Sequence, residues 1–343
     1  MATSLTSHLA FDAWPARVRW PAHAGARGAA ERVLAYHGFR PSPPAASAWR
    51  WDLDGTPVRV PDAATVVGTE RESRVTARTL GDVVYVEGPG GALAVRREER
   101  VVEGGFTVPA GDGAETDGGG AGVYGLLTLA LLVLLEREGA CALHAAALVA
   151  PGGAGVVLVG ASDSGKSTMT MHLARAGWPF LSDDSLLLRA GADGGVDAAP
   201  FRRSFGLDPD AEAIFPELSR ARERQLTDAH KLLVDAERLF PGGRAERVRP
   251  ALLLFPTVTD AGTSRAVALR PADAFVRLLA QGSFLHPDAA RAGAARLAAL
   301  ARQCRAYAFL SGRDVHRDGE RLAHHLRALL PDPHDPAHAH VHA

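Results

Sequence analysis

Residues 155–168 read GVVLVGASDSGKST, an apolar run that ends in a glycine-rich turn, and the chain continues through MTMHLARAG as a helix closed by Gly177. The turn fits G-x-x-x-x-G-K-[ST] and lies between the strand and the helix that give this motif its physical use. Such a loop works only where a buried strand delivers it to the start of a helix, so the motif commits this part of the chain to α/β architecture. Backbone N–H groups from Ala161 to Lys166 can wrap phosphate oxygens, and the helix dipole that begins near Lys166 adds favourable potential. The expected ATP-binding set is Gly160, Ala161, Ser162, Asp163, Ser164, Gly165, Lys166, Ser167 and Thr168. Lys166 would reach the β- and γ-phosphates, and Ser167 would offer its hydroxyl to Mg²⁺. An accidental Gly/Ser turn is the competing reading, and the flanking strand and helix weigh against it.

Asp163 sets a carboxylate inside a loop built for anions. Asp tolerates left-handed backbone better than most residues, so Asp163 is read as a glycine substitute that points outward. The alternative is that it weakens nucleotide binding. Asp183 and Asp184 follow Lys166 by just enough chain for one helix, a turn and the strand WPFLS back to the same sheet edge. Both carboxylates are therefore expected near the phosphates, one holding Mg²⁺ and the other accepting a proton from an attacking hydroxyl. Neighbouring strand residues face opposite ways, so the two should not share a task. A solvated turn is the bland alternative, disfavoured by the apolar strands on both sides.

The chain has 343 residues, which favours two domains, and its net charge of -1 offers no overall footprint for nucleic acid or an acidic membrane. Its longest apolar run, Gly125 to Leu135, is too short to span a bilayer and reads as a buried helix. The opening MATSLTSHLAFDAWPAR lacks the pattern of a secretory signal, and Cys141 and Cys304 form no metal or disulfide motif, so a cytoplasmic setting is expected. Residues 1–110 read as a small, mostly-β domain for substrate or partner binding. It has a helix near AAERVLAYHGF, a hairpin at Asp54-Gly55, and further turns around Gly81 and Gly88 to Gly91. Residues 111–122, GDGAETDGGGAG, read as a linker, 123–331 as the P-loop domain, and 332–343 as a disordered His-rich tail. Within 123–331 the expected strands are CALHAAALVA, GVVLVG, WPFLS, SLLLR, PALLLFP and RAVALR. VYGLLTLALLVLLEREG, PADAFVRLLAQ, AGAARLAALARQC and ERLAHHLRALL are expected as helices.

The run LHAAALVAPGGAGVVLVGASDSGKSTMTMHLARAGWPFLSDDSLLL resembles the catalytic core of the HPr kinase/phosphorylase superfamily, most closely its HPr-kinase-related branch. The matching positions are His144, Gly160, Ser162, Gly165, Lys166, Ser167, Asp183 and Asp184. The resemblance implies an α/β P-loop kinase core similar to that of HPr kinase and phosphoenolpyruvate carboxykinase. It also implies ATP- and Mg²⁺-dependent phosphorylation of a hydroxyl, commonly serine, and is compatible with a homo-oligomer. Asp163 replaces the family's inner glycine, and Thr168 stands where the bifunctional enzymes carry glutamate, so the reverse phosphorylase reaction is not expected.

His144 sits on an apolar strand, where a lone histidine is commonly a satisfied core residue; the resemblance makes it a partner of the Asp pair or of the transferred phosphate. Arg202 and Arg203, in PFRRSFGL, are substrate-binding candidates because guanidinium forks suit phosphate, against the plain reading of solvated loop charges. Only two of the 38 basic residues are lysines. Lys231 is the second, and its retention suggests a task for a compact ammonium such as contact with the γ-phosphate, against chance. LSGRD, residues 310–314, resembles the transporter ATPase signature but lacks the strand that should follow. The expected substrate is a hydroxyl on a peptide or protein. A small hydroxylated metabolite, or a nucleotide-binding regulator without phosphotransfer, remains the alternative; a phosphorylase or carboxykinase-like reaction would need pyrophosphate or oxaloacetate.

Overall fold

The computed structural model describes residues 5–46, 48–70, 73–108, 120–223, 231–316 and 318–330. Among these the chain is mixed α/β and forms two compact units. The first takes the residues up to Glu138 and Phe284–Ala290; the second takes Gly139–Glu223, Lys231–Ser283 and the residues from Arg291 onward. The His-rich tail and most of the expected linker lie outside the described residues.

The first unit contains β1 (Thr6–Phe11), β2 (Trp14–Arg19), α1 (Ala24–Tyr36), β3 (Arg40–Pro41), β4 (Trp49–Asp52), β5 (Thr65–Glu70), β6 (Val75–Leu80), β7 (Val83–Gly88), β8 (Gly91–Arg96), β9 (Val101–Phe106) and α2 (Gly120–Arg137). Its nine strands form one sheet in the order β3-β1-β2-β4-β9-β8-β7-β6-β5, in which β5 to β9 are a meander. The turns fall where the glycines require them: Gly81 and Gly90 take φ of 60° and 92° between directly paired strand ends. Alternation sorts the faces, with Trp49 and Trp51 buried while Arg50 and Asp52 point the other way.

Two expectations for this unit are corrected. The Asp54-Gly55 hairpin is absent, because β4 already has parallel neighbours on both edges, β2 and β9. The chain after β4 instead runs against the glycine pair of β9, where a Cβ on Gly105 would lie 1.9 Å from the carbonyl oxygen of Gly55. The domain division also falls after Glu138 rather than in 111–122, which transfers α2 to the first unit. A helix apolar on every side must be covered, and α2 packs against β7, β8 and α1. Its Gly125 permits the approach, since a Cβ there would meet Ser73 Oγ at 2.0 Å and Val75 Cγ2 at 2.7 Å. The imidazole of His37 bonds Thr128 Oγ1 at 2.8 Å and ties the end of α1 to α2.

The second unit begins with β10 (Cys141–Val149) and β11 (Gly155–Val159), a hairpin through PGGA, followed by α3 (Lys166–Arg175), β12 (Phe180–Ser182) and β13 (Ser185–Ala190). The loop-rich stretch adds β14 (Val196–Pro200), β15 (Phe205–Leu207), β16 (Leu232–Val234) and α4 (Ala236–Leu239). Then come β17 (Pro250–Val258), β18 (Arg265–Leu269), α5 (Pro271–Leu279), β19 (Gly282–Ser283), α6 (Pro287–Gln303), β20 (Arg305–Ser311) and α7 (Gly319–Leu329). The main sheet runs β14-β13-β10-β11-β17-β20-β18, with β12 and β19 also paired to β10. β11, β17 and β20 are mutually parallel, so the P-loop emerges at the carboxyl end of a central strand. The core beneath α3 and α7 joins Leu173, Trp178, Leu254, Phe309, Leu322 and Leu326, all within 1% of full burial. No helix among the described residues is long and apolar enough to cross a membrane.

Gly105→Ala is expected to lower the stability of the first unit by about 1–3 kcal/mol through steric overpacking. Equilibrium urea unfolding measures it, and an unchanged midpoint would contradict the close passage at Gly55.

Candidate active site

The P-loop leaves β11 as a tight turn. A Cβ on Gly160 would lie 2.7 Å from Ser164 Oγ, and Gly165, at φ 92°, starts α3. Asp163 takes φ 63° with its residue exposed, the left-handed, outward placement expected of a glycine substitute. Ala161 and Ser162 are exposed beside it, while Ser164, Ser167 and Thr168 are half-buried. Lys166 is only 5% exposed; its Nζ donates to the carbonyls of Gly160 at 2.7 Å and Ala161 at 2.8 Å and lies 3.2 Å from His144 Nε2. Burial lowers the Lys166 pKa, Asp184 opposes that, and Lys231 adds to the lowering.

β10 supplies His144. Pairing with β13 sets it opposite Ser185, and its backbone N–H donates to Gln281 O at 2.9 Å, so an apolar strand holds the imidazole at the carboxylate pair. His144 Nδ1 lies 3.2 Å from Asp184 Oδ1, and Arg202 Nη1 donates to Asp184 Oδ2 at 3.0 Å. Lys166, His144, Asp184 and Arg202 thus form one continuous polar chain. Burial works to raise the Asp184 pKa, yet Arg202, His144, Lys166 and Lys231 together carry it below the usual carboxylate range. Burial lowers the His144 pKa against the pull of Asp184.

Asp183 turns the other way and is completely buried. Its Oδ2 accepts from the Gly206 N–H at 3.1 Å, whereas the buried Oδ1 has no hydrogen-bond partner. Burial, reinforced by Asp184, raises its pKa well above the usual range; the Ser167 hydroxyl, the Gly206 amide and Lys231 pull the other way. An unpartnered carboxylate oxygen beside a serine hydroxyl is what a hard divalent cation would complete. The residues present therefore fit Mg²⁺, with the remaining oxygens to come from phosphate and water, since the described residues hold no cluster of three or more His, Cys, Asp or Glu arranged for a metal.

Lys231 comes to the site because β16 pairs with β15. Its Cδ would lie 3.8 Å from a Cβ on Gly206, and its charge acts on Asp183, Asp184, His144 and Lys166. Arg203 does not join: it pairs with Glu246 through two contacts of 3.2 Å, so only Arg202 of that pair meets the carboxylates. Sequence reading passed over two supports. Ser182 Oγ accepts from the amides of Asp184 at 3.4 Å and Ser185 at 3.2 Å and shapes the turn that parts the two aspartates. A serine just before an Asp pair signals such a turn. Gly206, which donates to Asp183, left no signal in the sequence because its contact is a backbone one.

Among solved structures the chain is similar to the Hpr(Ser) kinase/phosphatase from Coxiella burnetii, with 14% identity over 55% of this chain and 96% of that chain and a TM-score of 0.29. No family model matches the chain, and no curated protein does.

Because the Asp183 carboxyl has a raised pKa in the folded state, its protonated form suits the fold, and stability is lost as pH rises from its unfolded value through its folded one. In metal-free buffer Asp183→Asn should melt higher than the parent, with the gap growing between about pH 4 and about pH 7. A gap that is constant or shrinks would contradict the buried, raised carboxyl.

Proposed function

We propose that this chain is a cytoplasmic, ATP- and Mg²⁺-dependent kinase of the HPr kinase/phosphorylase superfamily that phosphorylates a hydroxyl, in the first place a serine of a peptide or protein. The observation that carries the reading is the convergence of Lys166, His144, Asp184 and Arg202 beside a buried Asp183 oxygen that lacks a partner. The P-loop amides and Lys166 bind the triphosphate, the lysine exchanging its loop carbonyls for β- and γ-oxygens. Ser167 Oγ and Asp183 Oδ1 would hold Mg²⁺, which supplies neutralisation of charge on the β- and γ-phosphates. Asp184 takes the acceptor's proton as the hydroxyl oxygen bonds to the γ-phosphorus and the bond to the β-bridging oxygen breaks, leaving ADP. Its lowered pKa makes it a weak base, which suffices because phosphoryl transfer proceeds through a loose transition state that asks mainly for positioning and charge neutralisation. His144 and Arg202 orient that carboxylate, and Lys231 supports the γ-phosphate.

A second reading, a nucleotide sensor without transfer, draws on the Asp163 carboxylate within the anion loop. γ-Labelled ATP and Mg²⁺, given to the protein alone and with an extract of its own cells, decide between the two. Label in a peptide or protein that is lost in Lys166→Ala supports the kinase; label in a small molecule moves the acceptor class; ATP binding without label favours the sensor. Asp184→Asn should cut turnover by about 10²–10⁴-fold. Asp183→Asn should instead raise the Mg²⁺ concentration needed for half-maximal rate. If both variants keep full activity, the assignment fails.

A further inference from the structure

The sheet of the first unit buries one face under its helices, and strand register fixes what stands on the other. Across the strands His8 is opposite Arg17, Arg17 opposite Arg50, Arg50 opposite Val101, and Val101 opposite Arg96. This row holds three arginines and a histidine and no carboxylate. The next rows along the strands carry the acids: Arg19 and Arg50 share Asp52 at 3.4 and 3.2 Å, Arg96 reaches Glu103 at 2.7 Å, and Arg78 pairs with Glu87 at 2.5 Å. Three carboxylates thus serve four arginines, and a fifth, Arg17, has no acidic partner among the described residues. The side chains of Arg19, Arg50 and Arg96 are 46%, 43% and 42% exposed.

Like charges directly opposite each other in a sheet are destabilising. The Arg17–Arg50 juxtaposition is therefore a cost that the fold itself does not require. We propose that this face docks an extended acidic polypeptide segment across β2, β4, β9 and β8. Adjacent strands lie about 4.8 Å apart, so the row from Arg17 to Arg96 spans about 14 Å, too long for one small anion. Alternate side chains of an extended peptide recur about every 7 Å and can meet it at two or three carboxylates. A single-stranded nucleic acid would want stacking platforms; among the paired positions of this face β2, β4, β8 and β9 offer no aromatic ring, and β7 only Tyr85. Four residues further along β8 the same face opens into a groove of about 550 Å³, floored by Gly88, Gly91 and Ala92 and walled by Val58 and Val60. Arg74, Thr76 and Glu87 also line it, so it offers this segment polar contacts beside the arginine row. The proposal stands apart from the phosphotransfer reading.

The test is fluorescence anisotropy of a fluorescein-labelled ten-residue glutamate peptide titrated with the full chain at low salt. Saturable binding that weakens with added NaCl is expected, retained in Lys166→Ala and in the charge control Arg302→Glu of the second unit, and weakened at least about tenfold in Arg17→Glu/Arg50→Glu. Arg17→Glu alone, which sets a carboxylate opposite Arg50, should lower affinity while raising the melting temperature, a pairing of effects that misfolding cannot produce. Absence of peptide binding, equal loss in Arg302→Glu, no loss in the double variant, or an oligothymidine that binds as tightly would each overturn the proposal.

Discussion

A carboxyl group buried without a partner for one of its oxygens is unfavourable, and the second unit is organised around such a group at Asp183. Three residues of β12 return the chain from α3 to the edge of β10, and Ser182 closes the turn that aims Asp183 inward and Asp184 outward. β15 then presents the Gly206 amide to one Asp183 oxygen, and the P-loop helix presents Ser167. Changing the length of β12 by one residue would swap the two aspartates, because strand side chains alternate.

The outward carboxylate organises the charges. Asp184 is clamped by His144 and Arg202 and lies within the field of both lysines of the chain. Lys166 rests on two loop carbonyls and the His144 ring, so its ammonium is satisfied although it is buried. Those are exchangeable neutral partners, and an anion arriving in the loop can replace them with stronger, charge-assisted bonds. The same logic separates the arginines: Arg202 has a carboxylate within the site, and Arg203 finds one outside it.

Much of this was legible in the sequence because its signals are local. The P-loop, the α3 helix ended at Gly177, the β10–β11 hairpin and the spacing of the Asp pair depend on residues within one supersecondary unit. Errors arose where distant chain competes for the same position. Asp54-Gly55 carries a sound hairpin signal, yet both edges of β4 are taken by strands from either side in sequence. The apolar helix α2 follows a glycine-rich stretch that suggests a boundary, yet the sheet before it needed a cover and Gly125 fits against Ser73 and Val75. Lys231 was conspicuous by rarity alone; only the β15–β16 pairing brings it to the carboxylates.

By itself the sequence determined the α/β character of the second unit, the glycine-rich loop between β11 and α3 and the candidates His144, Lys166, Ser167, Asp183 and Asp184, because glycine placement, hydrophobic period and short spacing act within a few turns of chain. Tertiary structure alone decided which aspartate is buried, which arginine joins it, where the units divide, and that Arg17 faces Arg50 across two parallel strands. Burial, charge pairing and strand register are sums over residues far apart in sequence, and they acquire values only once the chain has closed on itself.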